Sequence, residues 1–174
     1  MSHSVEEVEK LKHAPSIPGV IEQILARWSP RAFSHKPVAA EDLKKIFDSL
    51  VEFNQGWAKS APVLILSVAS KTFAHNGSAN HFAIHDTGAA TAYIGLQATA
   101  LGLHTHSMAG FDQEKARAAF GIPESFQIGA VTALGHLGDV ESLPEGLREQ
   151  ELSPRKRKPL AEFVFAEWEK PAKL

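Results

Sequence analysis

The chain has 174 residues, 44% of them hydrophobic, and a formal charge of −2. That is enough for one domain with a core, spanning 1–174, and too little for two; the balanced charge gives no global attraction to nucleic acid or anionic lipid. No cysteine is present, which excludes disulfides, thiolate metal sites and a cysteine nucleophile.

The polar start MSHSVEEVEKLKH contains no secretory apolar region, and a cytoplasmic protein is the expectation. PGVIEQILAR, about 18–27, begins with Pro18 near a helix start and repeats apolar residues at helical spacing. RWSPRAF follows at 27–33. Pro30 biases Ser29 toward extended backbone, so Arg27, Ser29 and Arg31 point the same way. Two guanidinium forks and a hydroxyl in a row suit a phosphate or carboxylate, and suit equally a solvated turn between helices.

EDLKKIFDSLVEFNQGWAKSA, about 41–61, keeps Leu43, Ile46, Phe47, Leu50, Trp57, Ala58 and Ala61 in one helical phase, with Asn54 on the same face. A buried amide there needs partners or costs about 1–3 kcal/mol; capping a neighbouring loop is one way to supply them. APVLILSVAS, 61–70, reads as a central strand covered on both faces. Residues 71–81 read as a polar loop. The longest apolar stretch, about 87–103, carries Gln97, falls short of the roughly 20 residues a membrane span requires, and reads as a buried helix. Its small residues Gly88, Ala92, Gly95, Thr99 and Gly102 form a stripe that suits a close helix–helix contact, in the core or across a dimer axis. LHTHSMAGFD then reads as a strand, DQEKARAAF as a helix and SFQIGAVTALGHLGD as a second strand ending in glycine turns. Alternating helices and strands predict an α+β sandwich.

SPRKRKPLAEFVF places Arg155 and Arg157 at i, i+2 before a proline and a short apolar strand, repeating the pattern of RWSPR; the alternative is a solvated basic patch. His81 with His85, and His104 with His106, have the spacing of metal pairs but lack a third ligand, so no metal site is assigned. There is no GxSxG, P-loop or GxGxxG motif.

Taken together, RWSPRAF, FNQGWAKSAPVLIL, HDTGAATAYIGLQATALGLHTHSMAGFD, ALGHLGD and PRKRKPLAEFVF resemble, in order and over nearly the whole chain, the nitroreductase family of FMN-dependent oxidoreductases. The resemblance implies an α/β/α sandwich of the α+β class with a mixed, mostly antiparallel sheet flanked by helices, and a homodimer with FMN sites at its interface. It implies that Arg27, Trp28, Ser29 and Arg31 bind the phosphate, ribityl chain and ring edge of FMN, that Arg155 and Arg157 grip the phosphate, that Asn54 hydrogen-bonds the isoalloxazine, and that the backbone of Ser107, Met108, Ala109 and Gly110 lies against the flavin. NAD(P)H would be the co-substrate and a nitroaromatic, quinone or similar small molecule the acceptor, with no partner among nucleic acids or membranes. The cofactor carries such chemistry, so no side chain is named as catalytic. Two other readings stay open: a flavin-binding protein without turnover, and a cofactor-free dimeric remnant.

The chain departs from the family in one place. A segment of the type Pro-Ser-x-x-Asn-x-Gln-Pro-Trp usually precedes the FNQGW-like helix, whereas here IFDSL runs straight into VEFNQGW. The unbroken apolar phase predicts one fused helix over 41–59, with Asn54 turned toward the cofactor and the flavin ring loosely covered.

Overall fold

The computed structural model describes residues 3–16, 21–34 and 43–172. Pro18 and residues 41 and 42 of the expected second helix lie outside them. Helix α1 (Val5–Lys12) starts with a reciprocal capping box between Ser4 and Glu7, and buries Val8 and Lys12. The short α2 (Glu22–Ala26) leads into RWSPRAF. Then come α3 (Leu43–Ser49), α4 (Glu52–Ala58), β1 (Val63–Ser70), α5 (Ala83–Ala100), β2 (His104–Met108), α6 (Gln113–Phe120), β3 (Phe126–Gly135) and α7 (Glu145–Leu152). A small hairpin, β4 (Phe165–Glu167) and β5 (Lys170–Pro171), follows near the end of the chain.

The main sheet has the order β1-β3-β2, antiparallel throughout. APVLILSVAS therefore supplies an edge strand and not the expected central one. The long β3 pairs on both sides, and β1 carries an irregularity between Leu66 and Val68, where Ser67 Oγ bonds the backbone N–H and carbonyl of Ala130. An apolar run reports burial, whereas position in a sheet is set by which strands find each other.

Register separates the two faces of the sheet. His106 and Met108 on β2 lie beside Ala133 and Val131 on β3, and Leu64 and Leu66 on β1 pair with the same two residues. This face meets Ile46, Leu50, Trp57 and Ala116 in the main core. Thr105 and Ser107, with Thr132 and Leu134 opposite them, face the other way, toward α5. The result is a three-layer arrangement, with α3, α4 and α6 on one side of the sheet and α5 on the other.

The fused helix is not formed. Leu50 leaves α3 to make an antiparallel bridge with Phe111, Val51 is extended (φ −66°, ψ 153°), and α4 starts afresh at Glu52. The break is held from outside the segment: Val51 N–H donates to Gly110 O at 3.1 Å, and Asp112 N–H to Ser49 O at 2.8 Å. Gln55 Nε2 donates to Leu50 O at 2.9 Å, satisfying a carbonyl left at the end of α3. The predicted apolar residues Ile46, Leu50, Trp57, Ala58 and Ala61 are nevertheless all buried, because both short helices pack on the same core.

RWSPRAF keeps the predicted alternation over 28–32 but bends at Arg31, which turns to Glu151, so the three donors do not share one face. Trp28, Pro30 and Ala32 are buried while Ser29 is exposed. The segment is held by pairing with the end of the β3 region: Ser34 N–H donates to His136 O at 2.9 Å and Gly138 N–H to Ala32 O at 3.0 Å. Among the described residues, no helix is long and apolar enough to cross a membrane.

Candidate functional site

The two arginine motifs, 128 residues apart in the chain, meet. Arg27, Ser29, Arg155 and Arg157 line one cavity of about 180 Å³, together with Lys12 and Trp28. Among the described residues, no carboxylate lines it. Arg27 Nη1 donates to Ser29 Oγ at 3.3 Å. Burial first, and then the charge of Arg157, disfavours the charged form of Arg27; burial, Arg157 and Arg27 do the same to Arg155. An anion placed among these groups would relieve the like-charge repulsion and meet the forked donors.

The arginines differ in what they do. Arg155 is committed to the protein, donating through Nη2 to Leu25 O at 2.7 Å and through Nη1 to Arg27 O. It braces the exit of α2 and thereby positions Arg27. Arg157 is exposed, and its recorded bond is from Nη1 to the neighbouring Lys156 O at 3.0 Å. Arg31 turns away from the cavity toward Glu151 on α7, with Nη1 3.8 Å from Oε2.

Glu151, 1% exposed, was not singled out by the sequence. Its Oε1 accepts from the backbone N–H groups of Arg31 (2.6 Å) and Ala32 (3.1 Å), pinning the donor row to α7. Burial raises its pKa, and those hydrogen bonds offset part of the rise. The legible signal was its place four residues after Leu147 on the buried side of a helix.

A second cavity, of about 480 Å³, shares Arg27 and Ser29 with the first and runs between α5 and β2, past Gly88, Ala92, Thr105 and Ser107. The small-residue stripe thus serves two purposes. At Gly95 it allows close packing, where an added Cβ would stand 3.2 Å from Thr105 Oγ1 and 3.8 Å from Arg27 Cδ; at Gly88 it faces open space. At Gly95 the stripe meets β2 and the residue that follows α2, and α5 also packs on helix α2.

Of the 107–110 stretch, Ser107 reaches this cavity and bonds Thr132 Oγ1 at 2.8 Å, Met108 is buried in the core, Ala109 is exposed, and Gly110 packs on Asn54. Asn54 is buried and bonded within the protein: Nδ2 donates to Gly110 O at 2.9 Å, and Oδ1 accepts from Trp57 Nε1 at 3.2 Å. It caps the 109–111 loop. His106 packs against Trp57 at a tilt of 42° with ring centroids 4.6 Å apart, and its Nδ1 lies 2.9 Å from Pro30 O. Burial, with the charges of Arg31 and Arg27, holds its pKa at about 4 against the ordinary 6.5. It is neutral at pH 7, so Nδ1–H donates to Pro30 O.

His81 and His85 are both exposed, while His104 is buried and meets Glu9 on α1, Nε2 to Oε1 at 3.2 Å. Among the described residues, no cluster of three or more His, Asp or Glu is arranged to hold a metal ion.

Helices layered on an antiparallel sheet, with an arginine cluster lining a small cavity where the N-terminal and C-terminal motifs meet beside a larger cleft, define an α+β protein. Residues 47–136 match the family model described as Nitroreductase family. The chain belongs to the nitroreductase family. A curated relative from Mycolicibacterium smegmatis, an uncharacterized 15.4 kDa protein of the ask 5′ region, is 36% identical over 127 residues, 73% of this chain and 84% of the relative. A crystal structure described as an oxidoreductase containing FMN superposes with a TM-score of 0.80 at 30% identity, over 95% of this chain and 97% of that one. A nitroreductase family protein from Streptococcus pneumoniae, at 15% identity and TM-score 0.58 over 81% of this chain and 96% of that one, shares the fold.

Proposed function

We propose that this chain is an FMN-dependent oxidoreductase that takes reducing equivalents from NAD(P)H and passes them to a nitroaromatic, quinone or similar small acceptor. The observation that carries the reading is the convergence of Arg27, Ser29 and Arg157, with Arg155 as brace, on a cavity that no carboxylate of the described residues lines and that opens beside a cleft of ring-sized volume. The donor set suits a phosphate monoester, and the cleft, floored by β2 and walled by the small residues of α5, suits a flat heterocycle. Bound FMN would supply the redox chemistry, accepting a hydride and returning two electrons to the acceptor.

The protein's part is to hold and orient. Arg27, Ser29 and Arg157 hold the phosphate. Glu151 and Arg155 fix the backbone that carries Arg27 to Arg31. Ser107 and Thr105 line the cleft, and Asn54 fixes the loop at Gly110. The shortened region before α4 is compatible with this reading, because the structure described as containing FMN is covered over 97% of its own length by this chain, so that chain is nearly as compact.

A homodimer belongs to the same proposal. Helix α5, expected to be buried, buries only Ala83, Gly95 and Ala98 in the single chain, and leaves Tyr93 69% and, at its C-terminal end, Leu101 64% exposed. A second copy covering this face would bury its exposed apolar side chains.

The test is the absorbance spectrum of the purified protein before and after added FMN, followed by anaerobic NADH or NADPH and then an acceptor. A flavin spectrum that bleaches with nicotinamide and recovers with nitroaromatic or quinone is expected. Colour that never bleaches would make the chain a flavin-binding protein without turnover, and no binding of FMN would overturn the reading.

A further inference from the structure

We propose that Lys12 of α1 is a further cation of the phosphate end of this site, so that the N-terminal helix acts as a strap that gives the chain its preference for a phosphorylated flavin over riboflavin. This rests on the reading that the cavity holds FMN.

Lys12 lines the same small cavity as Arg27, Ser29 and Arg157, although it comes from a helix that carries neither arginine motif. It is 6% exposed, unusual for a lysine with no carboxylate of the described residues in hydrogen-bond reach. Its ammonium is held by Ser153 O at 2.6 Å and Gln150 O at 3.4 Å, and stands 5.1 Å from the centre of the Trp28 ring. Those contacts join the two segments that carry the arginines, since Trp28 lies between Arg27 and Ser29, and Ser153 lies two residues before Arg155. The indole Nε1 of Trp28, in the same wall, is buried without a partner.

A lysine serving only to cap α7 gains nothing by standing among arginines. Burial disfavours its charge and Arg31 and Arg155 add to the cost, with only Glu151 opposing them. A phosphate monoester near −2 reverses the balance, supplying the counter-charge that the cavity lacks. The seat of α1 is independently fixed by buried Val8 and by Glu9 on His104, so the ammonium is delivered to a defined place.

The experiment titrates the full chain, Lys12→Gln and Lys10→Gln with FMN and with riboflavin, following quenching of flavin fluorescence, and measures thermal unfolding with and without inorganic phosphate. Lys10, on the same helix, is exposed and does not line this cavity, so it controls for the loss of one positive charge. A glutamine amide still donates to carbonyls, which limits loss of the α7 cap. Lys12→Gln is expected to weaken FMN about tenfold while leaving riboflavin unchanged, and to reduce the thermal shift produced by phosphate; Lys10→Gln should do neither. If Lys12→Gln is too unstable to titrate, Lys12→Arg decides, and it should keep the parental ratio of FMN to riboflavin affinity. Equal loss for both flavins, a riboflavin-like ratio in Lys12→Arg, or no change in FMN affinity while the parent binds FMN would overturn this inference alone. A parent that binds neither FMN nor phosphate would overturn the cofactor reading as well.

Discussion

Arg155 holds Arg27 by the backbone: Nη1 of the one donates to the carbonyl oxygen of the other, while Nη2 reaches Leu25 O at 2.7 Å. A residue near the end of the chain therefore fixes the angle at which a residue near the start enters the anion cavity. Arg157, two positions on, has no such tie and faces the cavity. The two should fail differently. On the proposed reading, Arg157→Ala should remove a charge-assisted hydrogen bond to the phosphate, about 1.5–3 kcal/mol of FMN binding, with little change in stability. Arg155→Ala should lower both the unfolding temperature and FMN affinity. Calorimetric titration with FMN beside thermal denaturation separates them, and equal stability loss in both variants would refute the division of labour.

The open wall at Gly88 leads to a steric prediction. A Cβ there meets nothing within 4 Å, and the residue lines the larger cleft. Gly88→Leu should fold at least as well as the parent, since replacing a mid-helix glycine removes a propensity cost of about 1 kcal/mol. Its side chain would stand in the space assigned to the ring, so FMN binding by fluorescence quenching should be lost. A variant that binds FMN normally would place the flavin elsewhere.

Gly110 and Asn54 are packed to the limit. A Cβ on Gly110 would lie 2.6 Å from Asn54 Nδ2 and 3.1 Å from Val51 Cγ2. Because Asn54 is held by Gly110 O and Trp57, Gly110→Ala should destabilise by about 1–3 kcal/mol. Shortening the neighbour in the double variant Gly110→Ala, Asn54→Ala should cost less than the sum of the two single changes, which urea denaturation of all three variants measures.

His106 gives the fold a pH dependence of known sign. Its folded pKa of about 4 lies below the ordinary 6.5, so the unfolded chain takes up the proton first. The stabilisation is whole above about pH 6.5 and drains away as pH falls toward about 4, at up to about 1.4 kcal/mol per pH unit. His106→Phe keeps a ring against Trp57 and removes the titration. Its unfolding free energy should fall less steeply between pH 6.5 and 4.5 than the parent's, and parallel slopes would remove His106 from the account.

The exposed face of α5 should govern association. Leu101→Glu, at a position 64% exposed in the single chain, should shift the protein to monomer in sedimentation velocity without lowering the helix content. A variant that stays dimeric would move the interface off this helix.

Much of this was determined by the sequence alone. The alternation of RWSPRAF comes from local backbone sterics, with Pro30 biasing Ser29 and period two doing the rest, and it survives folding with Trp28, Pro30 and Ala32 buried. The helices at 83–100 and 113–120 and the strands at 104–108 and 126–135 fall where their patterns and glycine turns put them. The buried set in 46–61 was equally legible, because burial follows side-chain chemistry.

What the tertiary structure alone decided are matters of which distant groups meet. Helical phase ran unbroken through Leu50 and Val51, but Phe111, Gly110 and Asp112 offered backbone partners that local periodicity does not see, and the helix broke there. The same long-range choice made β1 an edge strand, since β3 is long enough to pair on both of its sides. It turned Asn54 onto a loop, gave Arg31 to the buried Glu151, made Arg155 a brace, and brought Lys12 from an unremarked helix into the arginine cluster. Hydrogen bonds and charges act over a few ångströms in space, so a partner 128 residues away, as Arg155 is from Arg27, becomes visible only once the chain has folded.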